Sequence, residues 1–135
     1  MIIELAHHRV MVAFDTDSEI GRFWAASPVA LVGLKEAAFG RSRFSGEPVD
    51  RDFSDVASLL DRLGEEIAAE ISAAPVMRAR VVRAAERLLN DEAALTAAAR
   101  ELVASGQEQD HRTAEAGVRR AARGFLRRVV HRGAS

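Results

Sequence analysis

Residues 52–74 read DFSDVASLLDRLGEEIAAEISAA, the longest regular pattern in the chain. Phe53, Val56, Leu60, Leu63, Ile67 and Ile71 follow at intervals of 3, 4, 3, 4 and 4. That spacing sets all six on one face of an α-helix, with Leu59 and Ala68 widening the apolar stripe. A strand would need strict alternation, which is absent. Asp52 or Ser54 is placed to cap the start by accepting a free backbone N–H, Asp55 suits the positive end of the helix dipole, and Pro75 is expected to end the run. The opposite face holds Asp55, Asp61, Glu65, Glu66 and Glu70 against one base, Arg62. The stretch therefore reads as a central core helix with an acidic outer face.

On the N-terminal side, Ile2 to Ala6 and Arg9 to Phe14 are short apolar runs rich in β-branched residues, which predicts strands. Asp15 to Ser18 forms a turn, and Ile20, Arg22 and Trp24 alternate, so a hairpin is expected because a lone strand needs a partner. Thr16 and Glu19 have capping-box spacing, and Ile20, Phe23 and Trp24 also fit helical offsets, so residues 17–26 stay open between strand and helix. Ser27 followed by Pro28 is a helix start, leading through VALVGLKEAAFG to a stop at Gly40. That helix is expected to pack on the hairpin. Residues 41–51 mix Gly, Ser and Pro with charges and no period, and read as a surface loop.

Beyond Pro75 the helical pattern returns. Met77 to Leu89 turns Val81, Val82, Ala85, Leu88 and Leu89 inward, and Asp91 to Ala104 does the same with Leu95, Ala98 and Leu102. Asn90 and Asp91 break the two apart, Ser105 to Asp110 is a polar turn around Gly106, and a last helix runs from Thr113 to about His131. The fold class expected is α+β and mostly helical, an N-terminal β-hairpin followed by about five helices. All belong to one small domain over 1–135: hairpin plus helix in 1–40, loop in 41–51, helical portion in 52–131. A chain of 135 residues can bury a core of its own without disulfides or metal.

Composition narrows the chemistry. Of the hydrophobic residues 26 are Ala, the best helix former, so helices are favoured and can approach closely. With no Cys in the chain, disulfides, thiolate nucleophiles, Cys-ligated zinc and iron–sulfur clusters are excluded. The N-terminus lacks the features of a secretory signal and no run of about 18 apolar residues occurs, so a soluble cytoplasmic protein is expected. The net charge of −1 conceals a polarity: residues 1–75 hold 13 acids and 7 bases, residues 76–135 hold 12 bases and 7 acids. Eighteen of the nineteen basic residues are Arg in both halves alike, so Arg enrichment alone does not argue for nucleic acid.

His7 and His8 are adjacent, and His is the usual general base or metal ligand near neutral pH. On a strand they would point to opposite faces, and no Ser, Cys or second His cluster is spaced to complete a catalytic set. Asp15, Asp17 and Glu19 imitate the opening of a calcium loop, but Ile20 stands where the turn needs Gly and Ala26 where a bidentate Glu should be. His111 and Glu115 lie one helical turn apart without a second pair to complete a metal site. No nucleotide-binding glycine motif, HExxH or GxSxG occurs. No metal or cofactor is expected.

The signal that points to a function is the last helix, GVRRAARGFLRRVVHRG. At about 100° per residue, Val118, Ala122, Phe125, Leu126, Val129 and Val130 gather on one side. Arg119, Arg120, Arg123, Arg127 and His131 gather on the other, with Arg128 beside them; residues 116–135 hold six Arg and no acid. A buried apolar side with a merely solvated basic face would account for the helix alone. The functional expectation is a non-catalytic protein-interaction or assembly module. Arg119, Arg120, Arg123, Arg127 and Arg128 would contact a protein partner or another copy of the chain. A nucleic-acid-binding accessory or regulatory protein is the alternative, held down by a pI near 6.4 and by Phe125 lying on the apolar side. An anionic membrane ranks below both. A small enzyme using His7 or His8 with Asp15 or Asp17 is the third reading.

Overall fold

The computed structural model describes residues 9–16, 19–38 and 49–133. Among these residues five helices form the packed structure: α1 (Pro28–Ala38), α2 (Val49–Ile71), α3 (Pro75–Asn90), α4 (Glu92–Ala104) and α5 (His111–Gly133). Their buried side chains make one hydrophobic cluster, running from Val29 and Val32 of α1 to Phe125 and Val129 of α5. Among the described residues of that cluster every member lies on a helix or, as with Ala74, in a helix–helix turn.

The α+β class with an N-terminal hairpin is corrected by this arrangement. Among the described residues the packed fold is helical, and no sheet forms one of its layers. Two extended segments, β1 (Arg9–Thr16) and β2 (Glu19–Ala26), pair antiparallel as a two-stranded ribbon with Val12 opposite Phe23. A ribbon of two strands offers too little apolar surface to found a core. The helix expected to pack on it turns elsewhere: α1 lies mainly against α2 and α3, and its contact with β2 is slight. Charge locks that placement. Lys35 Nζ stands 3.0 Å from Asp52 and 2.9 Å from Asp55 of α2, while Glu36 takes Arg80 of α3 at 2.9 Å. Partial burial would lower the Lys35 pKa, but the Asp55 and Asp52 carboxylates outweigh it and hold the ammonium above its ordinary value.

The central helix behaves as its stripe requires. Phe53, Val56, Leu60, Ile67 and Ile71 are buried, and α2 packs against all four other helices. Its bounds differ from expectation at both ends. It starts at Val49, three residues early, so Asp52 serves Lys35 instead of a cap and the Ser54 hydroxyl donates to the Arg51 carbonyl at 2.9 Å. It ends at Ile71, and Pro75 is the first residue of α3, where its missing N–H costs nothing. Residues before proline avoid the α region, and Ala74 (φ −132°, ψ 82°) makes the break. Leu63 is only partly buried, because α2 kinks there (φ −122°, ψ 20°) beside Gly64.

The later breaks are capped by their own residues. Asp91 accepts the N–H groups of Ala93 and Ala94 at 3.0 and 3.3 Å and so starts α4. At the end of α4 the N–H of Gly106 reaches the Val103 carbonyl and that of Gln107 the Leu102 carbonyl, with Gly106 at φ +77°. This is the double-bonded glycine stop in which a side chain would be strained.

Candidate interaction surface

Helix α5 is aimed by its first turn. Asp110 Oδ1 accepts the Thr113 N–H at 2.8 Å and Oδ2 accepts its hydroxyl at 2.9 Å. The Thr113 bonds hold the Asp110 carboxyl below its ordinary pKa of 3.8. From this start the helix buries Ala114, Val118, Ala121, Ala122, Phe125 and Val129 against α2, α3 and α4. Three of these are alanine and two valine, so the three neighbours close tightly and only a narrow stripe is covered.

The narrowness of that stripe corrects one detail of the sequence analysis. By spacing Val130 falls with the inward side chains, yet it is 71% exposed, and Leu126 is half-buried. On a helix Val130 stands about 100° round from buried Val129, which carries it out of the contact. Leu126 and Val130 together with Arg123, Arg127 and His131 line a shallow, open apolar depression on the outer side of α5. The centring of the stripe on 118, 122, 125 and 129 was the available signal for this ridge.

The basic residues of α5 divide into two groups. Arg128 and Arg132 turn toward α2 and share Glu65, with Arg128 Nε 3.0 Å from Oε1 and Arg132 Nη2 3.5 Å from Oε2. Arg128 Nη1 lies over Gly64, where a Cβ would come within 2.7 Å of it. Part of the acidic face of α2 is thus paired within the chain to Arg128, one of the five arginines expected at a partner. These groups are 42 to 64% exposed, so the pairs contribute about 0–1 kcal/mol and act chiefly to set side-chain direction. Arg119, Arg120, Arg123 and Arg127 have no ion pair among the described residues. Arg120, Arg123 and Arg127 are exposed and Arg119 half-buried.

A second concavity of about 370 Å³ lies between α2, the turn after α4 and the first half of α5. Asp61, Arg62, Glu108 and Arg120 stand around it. Its floor of small residues gave no periodic signal from which it could be foreseen.

The remaining candidates do not assemble. His7, His8 and Asp17 lie outside the described residues, and of Asp15 and Glu19 only the backbone is described. His111 is exposed at the start of α5 and Glu115 half-buried one turn on; among the described residues no three His, Asp or Glu are grouped to hold a metal ion. Among the same residues no helix is long and apolar enough to cross a membrane. Compared with protein-family models, with curated proteins and with solved structures, the chain gives no match.

Proposed function

We propose that the protein is a non-catalytic interaction or assembly module. Its contact surface is the outer face of α5, and its partner is a protein surface, of another protein or of a second copy, that sets carboxylates around an apolar patch. The observation that carries this is the Leu126–Val130 ridge with Arg123, Arg127 and His131 around it. Single exposed apolar residues are ordinary. Here, however, an exposed Val and a half-buried Leu lie one turn apart, between arginines that the described residues leave without a counter-charge. An apolar centre with a charged rim is the anatomy of a protein contact, in which the ridge supplies affinity and the charges supply steering and register.

Phosphate binding would use the same arginines but would give Leu126 and Val130 no role. Phe125, the aromatic residue of this helix, is fully buried and presents no face on which a base could stack. In a second copy, exposed Asp61 and Glu66 of α2 supply carboxylates of the required kind.

The test is Val130→Asp. At a residue 71% exposed it leaves the fold intact, while it removes the apolar ridge and sets an acid among the arginines. Association measured by sedimentation for self-contact, and by affinity capture after nuclease treatment for a partner, is expected to fall sharply relative to wild type. Undiminished association by Val130→Asp would refute the proposal.

A further inference from the structure

The groove between α2 and the first half of α5 carries an arrangement of charge that the outer face does not use. Its volume of about 370 Å³ is that of a small-molecule site. Ala57, Leu102, Ala114, Val118 and Ala121 supply the apolar part of its lining, and Ser58 and Gln107 add polar groups to it. The rim carries both signs, with Arg62 and Arg120 against Asp61 and Glu108, and none of the four makes an ion pair among the described residues. Elsewhere opposite charges on neighbouring helices close on each other, as Lys35 does on Asp52 and Arg128 on Glu65.

The unclosed pair is Arg120 and Glu108. Arg120 Nη2 and Glu108 Oε1 come within 3.8 and 3.9 Å of the point above Gly117 where a Cβ would sit. They do not come within 4.0 Å of each other. The gap between guanidinium and carboxylate is thus wider than one ion pair and narrower than two. The Glu108 main chain is fixed at the end of α4, where its backbone N–H donates to the Leu102 carbonyl at 3.0 Å. Gly117 borders the gap, and its nearest neighbours are the ends of these two flexible side chains at ordinary contact distance, so a branched side chain there would reach into the gap where a single Cβ would not.

A plain anion would meet Asp61 and Glu108, and a plain cation would meet Arg62 and Arg120. A molecule carrying both charges a few bonds apart satisfies both sides. Its carboxylate accepts from Arg120, its ammonium donates to Glu108, and an apolar body covers the alanine and valine floor. We infer that this groove binds a free α-amino acid with an apolar side chain. The site is separate from the ridge of Leu126 and Val130 and stands or falls independently of the contact surface proposed there.

The experiment is an amide-resolved NMR titration of the full chain with L-leucine, L-valine, L-methionine and L-phenylalanine in turn. At least one is expected to give saturable shifts centred on Gly117, Glu108 and Asp61. Leucinamide and 4-methylpentanoate, which each keep one of leucine's charges, are expected to bind about tenfold more weakly than leucine, as are Arg120→Gln and Gly117→Val tested with the tightest amino acid. Arg123→Gln, on the same helix outside the groove, is expected to bind as wild type does. The inference is overturned if none of the four amino acids shifts these amides at millimolar concentration, if a singly charged analogue binds as well as the zwitterion, or if both variants retain full affinity.

Discussion

Leu60→Ala tests the role given to α2. Leu60 is 0% exposed at the middle of the helix that touches all the others. Truncation removes three carbon groups from the core at about 0.8 kcal/mol each, or about 2.4 kcal/mol of transfer free energy. A void of about 50 Å³ would add about 1.2 kcal/mol at ~24 cal/mol per Å³. The cluster around it is rich in alanine, including Ala57, Ala98 and Ala99, and alanine has no rotamer with which to fill a void. Little of the cavity term is therefore relieved, and the expected loss is about 3–4 kcal/mol, a fall in Tm of about 10–15 °C. Urea and thermal unfolding followed by far-ultraviolet circular dichroism measure it, with half-buried Leu59→Ala as comparator at about 1 kcal/mol. A loss below about 1 kcal/mol at Leu60, or equal losses at both positions, would refute α2 as the organising helix.

Further outcomes follow from the same contacts. Asp91→Ala is expected to cost about 1 kcal/mol in urea unfolding, because two N–H groups at the start of α4 lose their acceptor. For Asp91 desolvation, the largest single effect, would raise the pKa, but the Ala94 N–H, Arg87 and the Ala93 N–H together outweigh it and lower the value. Its stabilisation is therefore complete above the ordinary value of 3.8 and is lost as pH falls through the lower folded value; acid titration of wild type should fade in that window and Asp91→Ala should not. Lys35 runs the other way, its folded pKa being raised above 10.5, so its contribution is present below that value and lost as pH rises past it; Lys35→Met should flatten the alkaline limb. Gly106→Ala forces a side chain into φ +77° and is expected to cost about 1–2 kcal/mol by the same unfolding assay.

What could be seen in the chain beforehand was whatever periodicity and caps encode. The stripe from Phe53 to Ile71 is buried apart from Leu63, and Ser27, Asp91 and Gly106 stand at helix boundaries for the reasons their side chains suggest. The fold class is not legible there, because alternation in residues 9–26 is a local signal and says nothing of whether a strand becomes a layer. The answer lay in α1, whose Val29 and Val32 are buried in the helical core with Lys35 and Glu36 clamped to α2 and α3, a tertiary choice that no window of sequence shows. The basic face of α5 was legible by spacing. Its division was not, because Arg128 is drawn aside by Glu65, 63 positions earlier in the chain. Val130 likewise lies outside the contact only because alanines make the buried stripe narrow.

The most direct measurement of the central claim is a side-by-side comparison of wild type with Arg119→Glu, Arg123→Glu and Arg127→Glu combined. Both are assayed for self-association and captured partner, with protein and nucleic acid quantified separately. The three side chains have no ion pair among the described residues, so the helical signal and Tm are expected to stay close to wild type. The predicted result is an association with protein that weakens at least about tenfold in the variant and, in wild type, declines as salt rises. A folded variant that keeps every interaction of the wild type would contradict the account, as would capture of nucleic acid alone with a steep dependence on salt.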